Sequence, residues 1–419
     1  MRRSFLCFPV ALCLVVWIAQ PIASASATEK VIYSFQGGSD GAHPISDLIE
    51  DANGNLYGTT NDEGGGCGTV FELQRTSNGW SHKILYVFRC NSSRGFPITG
   101  LVMDNEGRLY GTTPGDYGDP GSVFELAEVN GVWQESVLYN FTAGSDGKNP
   151  SADLVIHQDN LYGTTYYAGG GSAVCNFGCG AVFELARGPN GEWKEKTIYD
   201  FAGSPDGSHP STPLVFDADG NAYGMTTFGG GSGYSCSAKG DCGTVYKLTP
   251  GKNGTWTESV LYSFSRGDRS GIFPSGGPVL SQSGSVLGVD SAGGDGFGTV
   301  FMFERTQHGG WQTNLHIFYG GADGNEPVGR VARDADGNIY GVTSGAQLSQ
   351  RNHGTVYELR SVAEGWREVV LHSFGKKGDG AMPQAGVVVD SSHHIYGTTE
   401  RGGTGKCGGG CGTVYEIVP

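Results

Sequence analysis

Eight cysteines stand beyond residue 60, and six of them form three tight pairs: Cys175 and Cys179, Cys236 and Cys242, Cys407 and Cys411. Cys67 and Cys90 are further apart. In an exported chain such pairs predict the disulfides Cys67–Cys90, Cys175–Cys179, Cys236–Cys242 and Cys407–Cys411. A metal site would need a histidine spacing shared with the cysteines, and none is present. Five carboxylates recur in Asp-Gly links, each four residues ahead of a proline: Asp40, Asp146, Asp206, Asp323 and Asp379. Calcium takes oxygen ligands from such loops, but Ser93 and Ser270 fill the same place in two further links. Serine replaces aspartate as a turn acceptor, not as a calcium ligand, so these links read as turns. Asp51, Asp104, Asp217, Asp334 and Asp390 read the same way.

Two histidines, His43 and His209, each precede a link proline and could serve as acid or base. Tyr117, Tyr166, Tyr167, Phe177, Phe228, Tyr234 and Phe297 stand in variable stretches rich in Gly, Asp and Glu, and Arg401 stands in another. Exposed aromatics among glycines and carboxylates suit the apolar faces and hydroxyls of a carbohydrate. The ligand-binding candidates are therefore Tyr117, Tyr166, Tyr167, Tyr234, Phe297, His43, His209 and Arg401. No Ser/His/Asp order, no paired carboxylates and no metal motif stand out, so neither a metal nor a cofactor is expected.

The elements that hold these residues are written seven times. Leu56-Tyr57-Gly58-Thr59-Thr60 recurs with Tyr at 110, 162, 223, 340 and 396, and Leu287 takes the place in the fifth copy. Each copy is followed by a Gly-Thr-Val-Phe-Glu-Leu signature, which starts at Gly68, Gly121, Gly180, Gly243, Gly298, Gly354 and Gly412. A third signature ends at Phe35, Phe88, Phe141, Phe201, Phe264, Phe318 and Phe374, and a short apolar run such as Leu214-Val215-Phe216 completes the set. All four are short, β-branched or aromatic, and bounded by turn residues, so they are strands. In order they are A (Leu-Val-x-Asp), B (Tyr-Gly-Thr-Thr), C (Gly-Thr-Val-Phe) and D (Leu-Tyr-x-Phe). Asn78-Gly79, Asn130-Gly131, Asn190-Gly191 and Asn253-Gly254 join C to D and predict tight turns with two positive φ angles. Four antiparallel strands every 52 to 64 residues, with no helix between them, predict an all-β, seven-bladed propeller.

The chain ends predict how the ring closes. A lone D strand, Val31 to Phe35, comes first and a lone C strand, Gly412 to Val418, comes last. The N-terminal strand would complete the last blade and leave no open edge. The span from Tyr-Gly to Gly-Thr-Val varies from 11 to 20 residues, whereas the D–A link is nearly constant. The link is then the crossover, A is the innermost strand, and the B–C loops and D–A links share one face. Six tryptophans at the start of strand D, Trp80, Trp133, Trp193, Trp256, Trp311 and Trp366, repeat at one position and read as packing.

Arg2 and Arg3, the apolar stretch Phe5 to Ile18 and the small residues Ala23 to Ala27 read as a signal peptide over residues 1–27, cut after Ala25 or Ala27. Residues 28–419 then form one propeller domain, expected to be monomeric. Losing the two arginines takes the formal charge from −15 to −17, and no Lys/Arg cluster is present, which argues against nucleic acid. No second long apolar run follows, so no membrane span is expected.

The string Asp-x-x-Gly-Asn-Leu-Tyr-Gly-Thr-Thr, then Gly-Gly and Gly-Thr-Val-Phe-Glu-Leu, runs from Asp51 to Leu73 and recurs in varied form from Asp217 to Leu248. It resembles the bacterial GloVer (Gloeo-Verruco) tandem repeat over essentially the whole chain after the leader. The resemblance implies an exported protein, tethered in some members by a C-terminal anchor. None is seen here, so secretion or periplasmic residence is expected. The family brings no established activity. The first functional reading is a secreted binding propeller for a glycan or other surface polymer. The alternatives are a propeller-fold polysaccharide lyase or hydrolase, and a structural cell-envelope protein.

Overall fold

The computed structural model describes residues 27–419 apart from residues 62–66, 90–96, 116–117, 171–174, 176, 232–241, 266–270, 282, 307–310, 346–352 and 364. The expected leader lies outside the described residues but for Ala27. Four-stranded antiparallel sheets repeat seven times. In the first blade the order is A (Ile49–Glu50), B (Leu56–Thr60), C (Thr69–Thr76) and D (Gly79–Val87). The next five blades repeat it with consecutive strands. In the seventh, Val388–Val389, Ile395–Thr399 and Thr413–Val418 are completed by Thr28–Ser34 from the start of the chain. That pairing is antiparallel, from Thr28 opposite Val418 to Ser34 opposite Thr413. The ring closes as the strand count requires. Among the described residues there is no helix beyond two three-residue turns, so none is long and apolar enough to cross a membrane.

The core is seven layers, one between each pair of neighbouring blades. The D-strand Phe of one blade packs edge-on or tilted against the C-strand Phe or Tyr of the next, with centroids 5.0–5.2 Å apart at all seven junctions. Such pairs contribute about 0.5–1.5 kcal/mol each beyond the area they bury. The same ring explains the glycine of Tyr-Gly: a Cβ on Gly58 would lie 2.7 Å from the Phe71 ring tip, and one on Gly397 would lie 2.2 Å from the Tyr415 hydroxyl. The tryptophans pack between blades as expected. Trp80 meets Tyr396, Trp193 meets Tyr110 and Trp256 meets Tyr162 at 5.8–6.5 Å.

The hairpin expectation holds in part. Asn130 and Gly131 both have positive φ in a two-residue loop between Val129 and Val132. Asn253 and Gly254 also both have positive φ, but in a longer loop. In the first blade Thr76 pairs directly with Gly79, so the two-residue loop is Ser77-Asn78 and only Gly79 has positive φ. In the third blade residues 188–192 separate the paired Arg187 and Trp193, too many for the two-residue turn.

Candidate functional site

The D–A links build the B–C face from one repeated backbone frame. Among the described residues, the residue before the link proline sits in the left-handed region in six links: His43, Asn149, His209, Phe273, Glu326 and Met382 have φ of 54–60°. Six non-glycine residues in this sparsely populated region cost of order 1 kcal/mol or more each, so the frame must over-determine them. It does so through one hydrogen bond in each of these six links. Each N–H donates to the carbonyl just before the strand-C glycine, as in His43 to Cys411 (2.9 Å), His209 to Cys179 (2.7 Å) and Met382 to His353 (2.8 Å). The backbone repeats while the side chains do not. An identical scaffold thus presents two histidines, an amide, a phenyl, a carboxylate and a thioether around one face.

Across the third to fifth blades this face carries a continuous aromatic arc. Phe177 meets Tyr167 at 6.2 Å, and Tyr167 meets Tyr166 at 4.7 Å. His209 contacts both tyrosines, at 5.6 and 4.9 Å, and Phe228 at 5.4 Å. Phe228 then meets Phe273 at 5.5 Å. Phe177 is 80% exposed at the outer end. Beside it opens a cavity of about 680 Å³ lined by Pro114, Asp119, Lys148, Asn149, Tyr167 and Phe177. The Lys148 ammonium stands 5.8 and 5.9 Å from the Tyr167 and Phe177 rings, within cation–π range. Burial lowers the His209 imidazole below its ordinary range, so it is neutral at pH 7, and its buried Nδ1 has no hydrogen-bond partner.

The structure thus brings together Tyr166, Tyr167 and His209. Phe273 joins them, a residue that the sequence reading left out. Phe297, 39% exposed, lies against Gly320, outside the ring contacts of the arc. Arg401 sits in the seventh blade, paired with Glu400 at 3.3 Å, and His43 lies in the seventh-to-first link. Tyr117 and Tyr234 lie outside the described residues. Cys175–Cys179 and Cys407–Cys411 are disulfides with Cα atoms 5.2 and 5.0 Å apart. Cys67 and Cys242 are disulfide-bonded too, while their expected partners Cys90 and Cys236 lie outside the described residues.

The link aspartates are turn acceptors. Asp146 takes the N–H groups of Thr142 and Gly144 at 2.7 and 3.1 Å, and Asp323 takes those of Tyr319 and Gly321 at 2.7 and 3.0 Å. The A–B aspartates do likewise: Asp217 holds the N–H groups of Asp219 and Asn221 and the Tyr223 hydroxyl at 2.9–3.0 Å.

The sequence shows no paired carboxylates, and the structure adds two link acids, Asp47 and Asp153, of which the first acts electrostatically on the second. The third residue after the link proline lies where neighbouring links approach each other closely. In the seven blades it is Asp47, Gly100, Asp153, Pro213, Gly277, Arg330 and Gly386. The inner strands crowd here: a Cβ on Gly386 would lie 2.2 Å from the Arg330 carbonyl oxygen. Each aspartate reaches back one blade. Asp47 accepts the Gly386 N–H at 2.6 Å and Asp153 accepts the Gly100 N–H at 2.5 Å. Burial, and then Asp47 itself, push the Asp153 carboxyl up to about 7, while the Gly100 N–H and Arg330 pull it down. Burial raises Asp47 as well, opposed by the Gly386 N–H and Arg330. A carboxyl raised to about 7 is partly protonated at neutral pH and can act as a proton donor there. The signal was present in the sequence as three charges at a position that is otherwise Gly or Pro.

A family model described as the Gloeobacter/Verrucomicrobia repeat matches residues 21–177 and 234–419. No curated protein matches the sequence. Among solved structures, the extracellular domain of a B. thetaiotaomicron protein titled as a one component system aligns with a TM-score of 0.55 at 13% identity. That alignment covers 94% of this chain but only 41% of the other. A protein from Lactobacillus plantarum aligns with a TM-score of 0.53 at 15% identity, over 82% of this chain and 88% of its own. A luciferin-regenerating enzyme aligns more loosely, with a TM-score of 0.47 at 14% identity, over 80% and 96%. At these identities the first two likenesses speak for the propeller fold alone.

Proposed function

This chain belongs to the Gloeobacter/Verrucomicrobia repeat family, and from that premise we propose that it is an exported binding propeller whose B–C face takes up a glycan or another extracellular polymer. The observation that carries the reading is the arc from Phe177 through Tyr167, Tyr166, His209 and Phe228 to Phe273. Aromatic faces offer the apolar C–H faces of sugar rings a flat partner. Lys148, Asn149 and Asp119 beside them can hydrogen-bond hydroxyls. The Cys175–Cys179 disulfide lies in the loop that presents Phe177, so less ordering entropy is lost on binding. A formal charge of −15 favours a neutral or basic polymer over a polyanion.

A glycan array probed with the oxidised protein, followed by titration of the best ligand, tests this reading. Replacing Tyr167 and Phe177 by Ala should weaken binding about tenfold or more, equivalent to about 1.4 kcal/mol, with the melting temperature nearly unchanged. Binding that survives those changes, yet is lost on trimming the Asn190-Gly191 hairpin, would put the functional face on the wrong side.

The Asp47, Asp153 and Arg330 group favours a second reading, a polysaccharide-cleaving propeller. A carboxyl near 7 is partly protonated at neutral pH and can deliver a proton to a leaving group. Under this reading Asp153→Asn should abolish polysaccharide cleavage while leaving arc binding intact. Cleavage at the unaltered rate in Asp153→Asn, or no cleavage by the parent protein, would remove it.

A further inference from the structure

We propose that Glu29, His372 and Asp379 bind a divalent transition-metal ion, zinc foremost, across the seam where the first strand closes the ring. The three side chains come from three places that only the closed ring brings together. Glu29 is on the N-terminal strand, His372 is on strand D of the sixth blade, Gly365–Ser373, and Asp379 is in the link that follows. Their ligand atoms all lie within 4.8 Å of one another, and His372 Nε2 stands 3.0 Å from Asp379 Oδ2. Donors about 2.0–2.1 Å from a tetrahedral zinc ion stand roughly 3.3 Å apart, so small side-chain shifts would admit the ion. Nitrogen with two carboxylate oxygens is a donor set for zinc or manganese rather than for calcium.

The repeat supplies internal controls. At two other junctions the same three positions hold Tyr139, Asp146 and Glu195, and Tyr199, Asp206 and Glu258. There the phenol donates to the link aspartate at 2.9 and 3.0 Å. A neutral phenol is a poor ligand. At the sixth-to-seventh junction His372 takes the tyrosine's place and presents a nitrogen to both carboxylates. Elsewhere histidines meet only one acid in this layer. His82 stands 3.3 Å from Asp40, and His316 stands 3.0 Å from Glu368 while Asp323 is turned to its own loop. The fifth-to-sixth junction thus carries the same three residue types, but among the described residues only Glu29, His372 and Asp379 bring all three ligand atoms within 4.8 Å.

The trio also holds an unsatisfied oxygen. Glu29 Oε1 is buried with no hydrogen-bond partner, as are the equivalent Glu258 and Glu368 oxygens at two other junctions, where no second carboxylate closes on a histidine. Burial and Asp379 raise the Glu29 carboxyl, and His372 and, more weakly, Lys376 lower it. A cation would meet the orphaned Glu29 oxygen. Asp379 Oδ1 already accepts the Gly380 N–H at 2.7 Å, which orients Oδ2 toward the imidazole.

The test uses the whole mature chain, oxidised, stripped with EDTA and titrated with zinc, with cobalt as a spectroscopic substitute. We expect a single equivalent bound, a raised melting temperature, and a cobalt d–d band of a nitrogen–oxygen site. His372→Tyr recreates the trio of the other junctions, so it should fold with the stability of the metal-free protein and lose the band. Glu29→Gln should weaken zinc at least tenfold. The proposal is overturned if the stripped protein binds neither zinc nor cobalt. It is equally overturned if His372→Tyr binds as tightly as the parent, since the ion would then sit elsewhere, for instance at His394 between Asp390 and Glu416.

Discussion

A chain lacking Val31–Phe35 is expected to lose cooperative folding. The deleted residues form most of the strand that pairs with Thr413–Val418. They also remove Phe35, a fully buried ring 5.1 Å from Phe71, and Tyr33, which stacks on His82 at 4.0 Å. Losing one buried Phe costs about 3–5 kcal/mol, against a total stability of about 5–15 kcal/mol for a typical domain. The deletion further opens the junction between the seventh and first blades and bares an edge strand. Size-exclusion chromatography should show aggregates, and calorimetry no sharp transition. A circular permutant gives the sharper result. Thr28 lies opposite Val418, just as Thr76 lies opposite Gly79 in the first blade. Appending residues 28–35 after Pro419 through an Asn-Gly turn should therefore restore melting. A truncated chain that melts like the parent would mean that the first strand does not close the ring.

The ring was legible in the sequence because each junction uses the same few side chains. Phe88 on Phe124 and Phe141 on Phe183 repeat one contact, so the spacing of those residues carries the architecture. The site was legible only where it broke the repeat. Tyr166 and Tyr167 stood out as unrepeated aromatics in a variable loop. Phe273 did not, because it occupies the same place as His43 and His209 and looks like part of a link. Its role depends on Phe228 reaching it from the neighbouring blade, which no spacing records. Asp47 and Asp153 showed only as charges at a position that is otherwise Gly or Pro, two residues ahead of a short A strand. A strand of two or three residues shows no alternation, so the chain cannot indicate which position faces the axis. Only closure of the ring brings Asp153 under the electrostatic influence of Asp47 and Arg330.

The same layer-by-layer repetition exposes a buried acid that the fold tolerates at a cost. In five blades the last residue of strand B and the first of strand C form a hydroxyl clasp at 2.8 Å: Thr60 with Thr69, Thr113 with Ser122, Thr226 with Thr244, Thr343 with Thr355 and Thr399 with Thr413. In the fifth blade Asp290 replaces the threonine and meets Thr299. Its side chain is fully buried, and burial pushes the carboxyl up to about 7 despite the Thr299 hydroxyl and nearby N–H groups. A carboxyl raised in the folded state binds its proton more tightly there than in the unfolded chain. Its contribution is therefore complete below about pH 4 and is lost as pH rises through 7. Asp153 and Glu258, both pushed up to about 7, act in the same direction. Stability of the parent protein should fall from mildly acidic to mildly basic pH. Asp290→Thr restores the clasp of the other blades and removes one charge that must be buried. It should gain roughly 2–4 kcal/mol at pH 8, from about three pKa units at 1.36 kcal/mol each, and much less at pH 5. Urea melts of both proteins at the two pH values measure this directly. An equal change at pH 5 and pH 8 would show that Asp290 is not protonated in the fold, and a loss at both would show that its carboxylate supports the strand B–C turn more than it strains it.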